Sequence, residues 1–295
     1  MKVTLPHLRE LKIAGTPIVM VTAYDLPSAR IVDTAGVDLV LVGDSAANTV
    51  LGHDPVSTVR ATMDELVILT RAVSRGCKHA MVIGDLPFMS YQVSDEDAVR
   101  NAGRFVKDAG ADVVKLEGSG TSVARAAAIV SAGIPVMGHL GLTPQTATML
   151  GGHKAQGRQW HHAKRLYDDA LALEAAGCFA IVLECVPEAV SAVISRRLTI
   201  PTIGIGSGAG TDGQVLVLHD LLDMHGAETF QPKFVKHFAH VGEAMRAGVT
   251  AYADQVRGRS FPAPEHAYPI APEELSAFTT AVEAGAADDN ILADW

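Results

Sequence analysis

Cysteine is scarce in this 295-residue chain: Cys77, Cys178 and Cys185 are the only three. They are odd in number and form no Cys-x-x-Cys pair, which excludes a disulfide framework and a zinc ribbon and makes a reducing compartment the expectation. Positive charge is also short. Lys and Arg number 24 against 33 Asp and Glu, a formal net charge of −9. That argues against nucleic acid or an anionic membrane as main partner, since both select a basic surface. An anionic small substrate stays open, because a bound metal or a few local Lys and Arg reverse the field inside a cleft. Long hydrophobic runs are missing as well. No segment approaches the length of a membrane span, and the opening "MKVTLPHLRELKIAG" has neither an apolar h-region nor a cleavage signature. The expectation is a cytoplasmic protein.

What the chain does have is alternation. With 48% hydrophobic residues it has the apolar content for one large domain or two small ones, placed in short apolar runs separated by longer amphipathic segments. "PIVMVTAY", "DLVLVGD", "HAMVIGDLP", "DVVKLEG", "IPVMGHLG", "FAIVLECVP" and "IPTIGIGSG" read as strands, with "QVLVLHD" as a weaker eighth. "LPSARIVDTAG", "TMDELVILTRAVSRG", "SDEDAVRNAGRFVKDAG", "TSVARAAAIVSAG", "AKRLYDDALALEAAG" and "EAVSAVISRRL" read as helices between them. Several end in Ala-Gly, as helices do when they stop through a left-handed glycine. Strands this uniformly apolar are covered on both faces, which predicts a parallel sheet with crossover helices. The expectation is α/β, a single (β/α)8 TIM-type barrel over 1–265, with a doubly wound open sheet as the runner-up. The Pro-, Ala- and acid-rich stretch 266–295 reads as a peripheral tail, able to carry one short helix or act as an interaction arm. Residues 141–162 are too long and glycine-rich for an ordinary strand–helix connection, and long loops in compact domains are usually functional.

Strand after strand ends on a polar residue: Asp25, Asp44, Asp85, then Lys115 with Glu117, His139 and Glu184. One acid at a strand end is as well explained by a helix cap. Six strands ending so are not, because in a parallel barrel these ends converge on the face where active sites are built. Asp44, Asp85 and Glu117 come from successive strands, and three carboxylates without His or Cys suit a hard cation, Mg²⁺ before Zn²⁺. Lys115 offers positive charge to an anionic substrate, or a Schiff-base amine, which a nearby metal disfavours. Glu184 suits a general base, because burial strengthens a carboxylate as proton acceptor; the plain alternative is a cap for the helix "PEAV". His139 serves a substrate or orients a neighbour. "GIGSGAG" resembles a dinucleotide fingerprint, but turn and strand follow it where a helix is required. Cys185 is expected to face the core, and Tyr24 and the Met and Phe of "DLPFMSY" to pack.

These segments, with "VTAYD", "LVGDS", "LGHD", "VKLEG", "GHLGLTPQ", "GGHKAQGR", "LALEAAG", "IGIGSG", "TDGQVLVLHD" and "PKFVK" in order over about residues 15 to 268, resemble the ketopantoate hydroxymethyltransferase family. The resemblance implies a TIM-type barrel, Mg²⁺, 5,10-methylenetetrahydrofolate as one-carbon donor, a small-molecule 2-oxo acid substrate (2-oxoisovalerate, in pantothenate biosynthesis) and a homo-oligomer, decameric in typical bacterial members. Carried over, Asp44, Asp85 and Glu117 match the metal site. Asp44, Ser45, Asp85, Lys115 and His139 match substrate contacts, and Glu184 the proton acceptor. The chain departs from the family where Leu-Gly-Met usually follows Gly-Asp-Ser: here stand Ala46, Ala47 and Asn48, a candidate specificity loop. "PVSTVRAT", His153, Ala155, Ser207 and "EHAY" also differ. Three further readings therefore stand beside the family activity. One is a paralogue acting on another 2-oxo acid, or with free formaldehyde or another aldehyde as donor. The second is a silent homologue. The third is a lyase resembling the phosphoenolpyruvate mutase and isocitrate lyase group, whose nucleophilic cysteine motif is not apparent.

Overall fold

A computed structural model describes residues 2–53, 57–225 and 232–285. Eight parallel strands close into a barrel in chain order: β1 (Ile18–Thr22), β2 (Leu39–Val42), β3 (Met81–Asp85), β4 (Val113–Lys115), β5 (Val136–Gly141), β6 (Ala180–Glu184), β7 (Thr202–Ile205) and β8 (Gly213–Leu216). The weak eighth strand is real, and it shuts the barrel by pairing with β1 from Ile18 opposite Gly213 to Val21 opposite Leu216. The helices are α1 (Leu5–Ala14), α2 (Leu26–Thr34), α3 (Ala46–Thr49), α4 (Met63–Gly76), α5 (Asp95–Lys107), α6 (Thr121–Ser131), α7 (Trp160–Ala175), α8 (Glu188–Arg197), α9 (Leu218–Leu221), α10 (Val241–Arg257) and α11 (Pro272–Glu283).

The period of two along each strand sorts side chains into two cores. Val21, Val40, Val42, Val82 and Val114 point outward and bury beneath the helices with Leu66, Phe105, Ile129 and Leu173. Ile18, Met20, Leu39, Leu41, Met81, Ile83, Val113, Met137, Val182, Ile203 and Val215 fill the barrel interior. The expected helix signals hold at both ends. Ser94 caps α5 by accepting from Asp97 N at 3.1 Å, and Gly36, Gly110, Gly133 and Gly177 take left-handed φ values after α2, α5, α6 and α7.

Sequence periodicity did not mark α1. Thr4 caps it, and its Leu8, 1% exposed, belongs to the interior core with Val3, Leu5 and Leu11 packed beside it. Lys12 Nζ holds the same end of the barrel by donating to Ser195 O at 2.9 Å and pairing with Asp212 at 2.7 Å. Gly141, at φ 96°, ends β5 where the backbone of β6 comes so close that a Cβ would sit 2.2 Å from Glu184 O. Only glycine fits there, and its backbone is what sets β5 against the end of β6.

The chain divides into two compact units, Met1–Gly242 and Glu243–Trp295. The first holds the barrel. In the second, Phe261 lies between Tyr252 and His266, with ring centroids 5.6 and 5.1 Å away. Helix α11 falls in the stretch expected to be a tail, whose residues 286–295 lie outside the described residues. Among the described residues no helix is long and apolar enough to cross a membrane.

Because Leu8 closes the interior core from outside the strands, Leu8→Ala should lower unfolding free energy by about 3 kcal/mol and leave active-site chemistry near wild type. Urea denaturation with a parallel activity assay would show it; a loss under about 1 kcal/mol would mean that α1 is dispensable to the core.

Candidate active site

The inward positions that carry apolar side chains low in the barrel carry polar ones at its C-terminal end. Asp85 follows Met81 and Ile83, Lys115 and Glu117 follow Val113, His139 follows Met137, and Glu184 follows Ala180 and Val182. Register sets Asp85 opposite Lys115, and Gly141 opposite Glu184. Asp44, Asp85, Lys115, Glu117 and His139 are buried; Glu184 is 16% exposed at its side chain. Five of the six strand ends therefore converge. Asp25 does not: it caps α2, accepting from Ser28 N at 2.7 Å. For Glu184 the capping alternative fails, since α8 begins after Pro187 with no side-chain cap.

Lys115 Nζ lies 2.7 Å from Asp85 Oδ1 and 3.7 Å from Glu117 Oε1. Burial acts to lower the Lys115 pKa, but the charges of Asp85, Glu117 and Asp44 outweigh it and raise the pKa above the ordinary lysine value. A Schiff base needs a neutral amine, and this upward shift works against one at Lys115. His139 bridges two acids, with Nδ1 3.1 Å from Glu117 Oε1 and Nε2 3.1 Å from Glu184 Oε2. Burial opposes its protonation, yet Glu117 chiefly carries the pKa up to about 9. The ring is an imidazolium at neutral pH. Glu117 in turn is held below the usual carboxylate value: burial pushes it up, and His139 and Lys115 more than reverse that.

Asp44 is the strained member. Burial, then the charges of Asp85 and Glu117, push its carboxyl up to about 8. Its backbone N donates to Asp85 Oδ2 at 3.0 Å, which draws the two acids together. Asp85 Oδ1 is buried without an aligned hydrogen bond among the described residues, facing only the Lys115 ammonium. An all-oxygen donor set with a buried under-bonded oxygen and a carboxyl forced to hold a proton fits a hard divalent cation. Glu117 is less available than its neighbours, since Oε2 accepts from Gln145 N at 3.1 Å and Oε1 faces His139.

Gln145 and Tyr91 escaped the sequence reading. Gln145 Nε2 donates to Asp44 Oδ2 and to Leu86 O, each at 3.0 Å, while Oε1 accepts from Tyr91 OH at 2.8 Å. The same Tyr91 hydroxyl accepts from Glu117 N at 3.1 Å. An uncharged amide inside a loop gives no periodic signal; the length of 141–162 was the available clue. That loop is tied down by Gln156 N donating to Cys185 O at 2.9 Å. Cys185 is half-buried with φ 51°, not in the core as expected, because the chain turns sharply at the end of β6. Ser45 Oγ lies 2.8 Å from Tyr24 OH, so Tyr24 packs and also holds a site residue. Met89 is exposed, not packed. Ala46 and Ala47 are fully buried in the layer between sheet and helices, and Asn48 Nδ2 donates to Ser57 O at 3.2 Å.

Residues 2–264 match the ketopantoate hydroxymethyltransferase family. The chain is 51% identical over 274 residues to the 3-methyl-2-oxobutanoate hydroxymethyltransferase of Carboxydothermus hydrogenoformans, covering 93% of this chain and 98% of that one. It is 53% identical over 267 residues to the enzyme of the same name from Moorella thermoacetica, at 90% and 98% coverage. Among solved structures it resembles 2,3-dimethylmalate lyase, a member of the PEP mutase/isocitrate lyase superfamily, with a TM-score of 0.57, 17% identity and 97% and 96% coverage. Phosphonopyruvate hydrolase, solved with oxalate and Mg²⁺, gives a TM-score of 0.57 at 13% identity over 96% and 98% of the two chains. At such identities the likeness is one of fold. The sequence matches carry more, and by them the chain belongs to the ketopantoate hydroxymethyltransferase family and is a hydroxymethyltransferase.

Proposed function

We propose that the chain transfers a hydroxymethyl group from 5,10-methylenetetrahydrofolate to 3-methyl-2-oxobutanoate, the 2-oxo acid in its relatives' name, with Glu184 as the base that makes the nucleophile. The observation that carries this is a half-buried carboxylate, Glu184, held against one ring nitrogen of His139 while the other meets Glu117 of the buried acid cluster. A Mg²⁺ held by Asp44 and Asp85, with Glu117 beside them, would supply Lewis acidity toward the charge that grows on the ketone oxygen.

The chain's own groups perform the rest. Lys115, fixed as an ammonium, binds the oxo acid's carboxylate end by charge. His139, whose pKa is raised chiefly by Glu117, is poorly suited to act as base; its Nε2 holds the Glu184 carboxylate at 3.1 Å. Glu184 takes the proton from the carbon next to the ketone, leaving an enolate. Water releases the donor's methylene as formaldehyde, the methylene–nitrogen bonds breaking and tetrahydrofolate leaving. The enolate carbon adds to that formaldehyde, whose oxygen takes up a proton to become the hydroxyl. Gln145 fixes Asp44, and Ser45 lines the mouth with its hydroxyl held by Tyr24. What supports the family's usual oxo acid over another is the placing of Ala46 and Ala47, buried away from the mouth. Their influence on the substrate runs through the position of Ser45.

Proton–deuterium exchange in D₂O, followed by NMR across a panel of 2-oxo acids with and without Mg²⁺, tests the base without needing folate. Metal-dependent exchange should be fastest with 3-methyl-2-oxobutanoate and fall about 100-fold or more in Glu184→Gln. Undiminished exchange in that variant would remove Glu184 from the role. Replacing Gln145 by Leu frees the Asp44 carboxylate and should weaken Mg²⁺ binding by about 10-fold, read by calorimetric titration; unchanged affinity would mean Asp44 is held by the barrel alone. Asp44 at about 8 and His139 at about 9 both sit above their ordinary values of 3.8 and 6.5. Each binds its proton more tightly in the folded chain, so the stability it contributes is complete below the ordinary value and is lost as pH rises through the folded one. In chelator the melting temperature should therefore drop between about pH 7 and 9, and the drop should lessen in Asp44→Asn; a rise over that range would contradict both assignments.

A further inference from the structure

A second donor cluster lies away from the barrel mouth. After α9 the chain passes Asp223, whose φ of 52° is left-handed, and residues 232–240 return alongside it. Three backbone bonds fasten the two segments: Phe238 N to Leu221 O and Val241 N to Leu222 O at 2.9 Å, and Gly242 N to Asp223 O at 3.1 Å. Gly242 is needed for that approach, since a Cβ there would stand 2.7 Å from Asp223 O. The backbone thus delivers His237 and His240 to the Asp223 carboxylate. His240 Nδ1 lies 2.8 Å and His237 Nδ1 3.7 Å from the same oxygen, Asp223 Oδ2, and the two rings meet edge to face with centroids 5.8 Å apart.

We propose that Asp223, His237 and His240 form a binding site for a divalent transition-metal ion of the Zn²⁺ class, separate from the acids of the barrel. Ligand atoms 2.0–2.1 Å from a tetrahedral ion stand roughly 3.3 Å apart, and the two separations above bracket that edge. Among the described residues this trio is the one set of His, Cys, Asp or Glu with ligand atoms all within 4.8 Å of one another; Asp44, Asp85 and Glu117 do not close to that spacing. Two imidazoles with one carboxylate favour Zn²⁺, Co²⁺ or Ni²⁺ and are poor ligands for Mg²⁺. A water or one further donor beside these three ligands would complete a four-coordinate site. His225 and Asp220, 3.3 Å apart, lie within electrostatic reach of Asp223 and His237, so a second carboxylate and a further imidazole stand nearby. The ion would clamp Asp223 to the returning segment.

The test uses the full chain, stripped with chelator and then given a large excess of Mg²⁺ to occupy the barrel acids. Zn²⁺ titrated by calorimetry should bind at one equivalent that Mg²⁺ does not displace, and Co²⁺ in its place should show the intense visible absorption of a four-coordinate ion. His237→Asn with His240→Asn should weaken that binding by about 100-fold or more, while circular dichroism and Mg²⁺-dependent exchange with the 2-oxo acid stay as in wild type. His240→Asn alone, at a side chain 63% exposed, changes the fold least and should also weaken it. The proposal is overturned if Zn²⁺ binds these variants as it binds wild type, if Asp44→Asn abolishes the binding instead, or if wild type binds no Zn²⁺ beyond what Mg²⁺ displaces.

Discussion

Carboxylates cannot be crowded into a protein interior unless something offsets their charge, and the mouth of this barrel is arranged around that constraint. Asp44, Asp85, Glu117 and Glu184 face one ammonium, Lys115, and one imidazolium, His139. If all are ionised, four negative charges against two positive leave two unbalanced. A deficit of two is the charge of one divalent cation. Without one, the cheapest relief is for a carboxylate to keep its proton, and Asp44 does so because it is fully buried, pressed by Asp85 and Glu117, and farther from the cationic pair. Holding the site short of charge also keeps its cations fixed: each extra carboxylate binds the Lys115 and His139 protons more firmly. Gln145 and Tyr91 add hydrogen bonds and no charge, so they position the acids without altering the balance.

Much of this arrangement is legible in the sequence. Uniformly apolar strands alternating with amphipathic helices imply a covered parallel sheet, and polar residues at strand ends imply a working face. Alternation adds which strand-end residues point inward, since Asp85 shares its parity with Met81 and Ile83, and Glu184 with Ala180 and Val182. Asp25 shows the limit of that reasoning. It ends the same kind of run, but an N-cap offers it a nearer partner than the barrel axis does. Helix α1 was hidden because its stability comes from plugging the barrel with Leu8, a tertiary contact that leaves little trace in a ten-residue stretch. Cys185 was misplaced because strand parity stops applying where the backbone turns left-handed.

The barrel itself does not choose the chemistry. Proteins at 13–17% identity share its shape across nearly their whole length, and a fold so widely used hosts many reactions. What narrows the choice is the state in which each reactive group is held. The acids around Lys115 raise its pKa, which works against condensation with a ketone. Burial and then the Glu184 charge push the Cys185 thiol up to about 12, so it offers no thiolate to attack a substrate. His139 already holds its proton. Against these groups stands Glu184, a half-buried carboxylate whose Oε2 lies 3.1 Å from His139 Nε2.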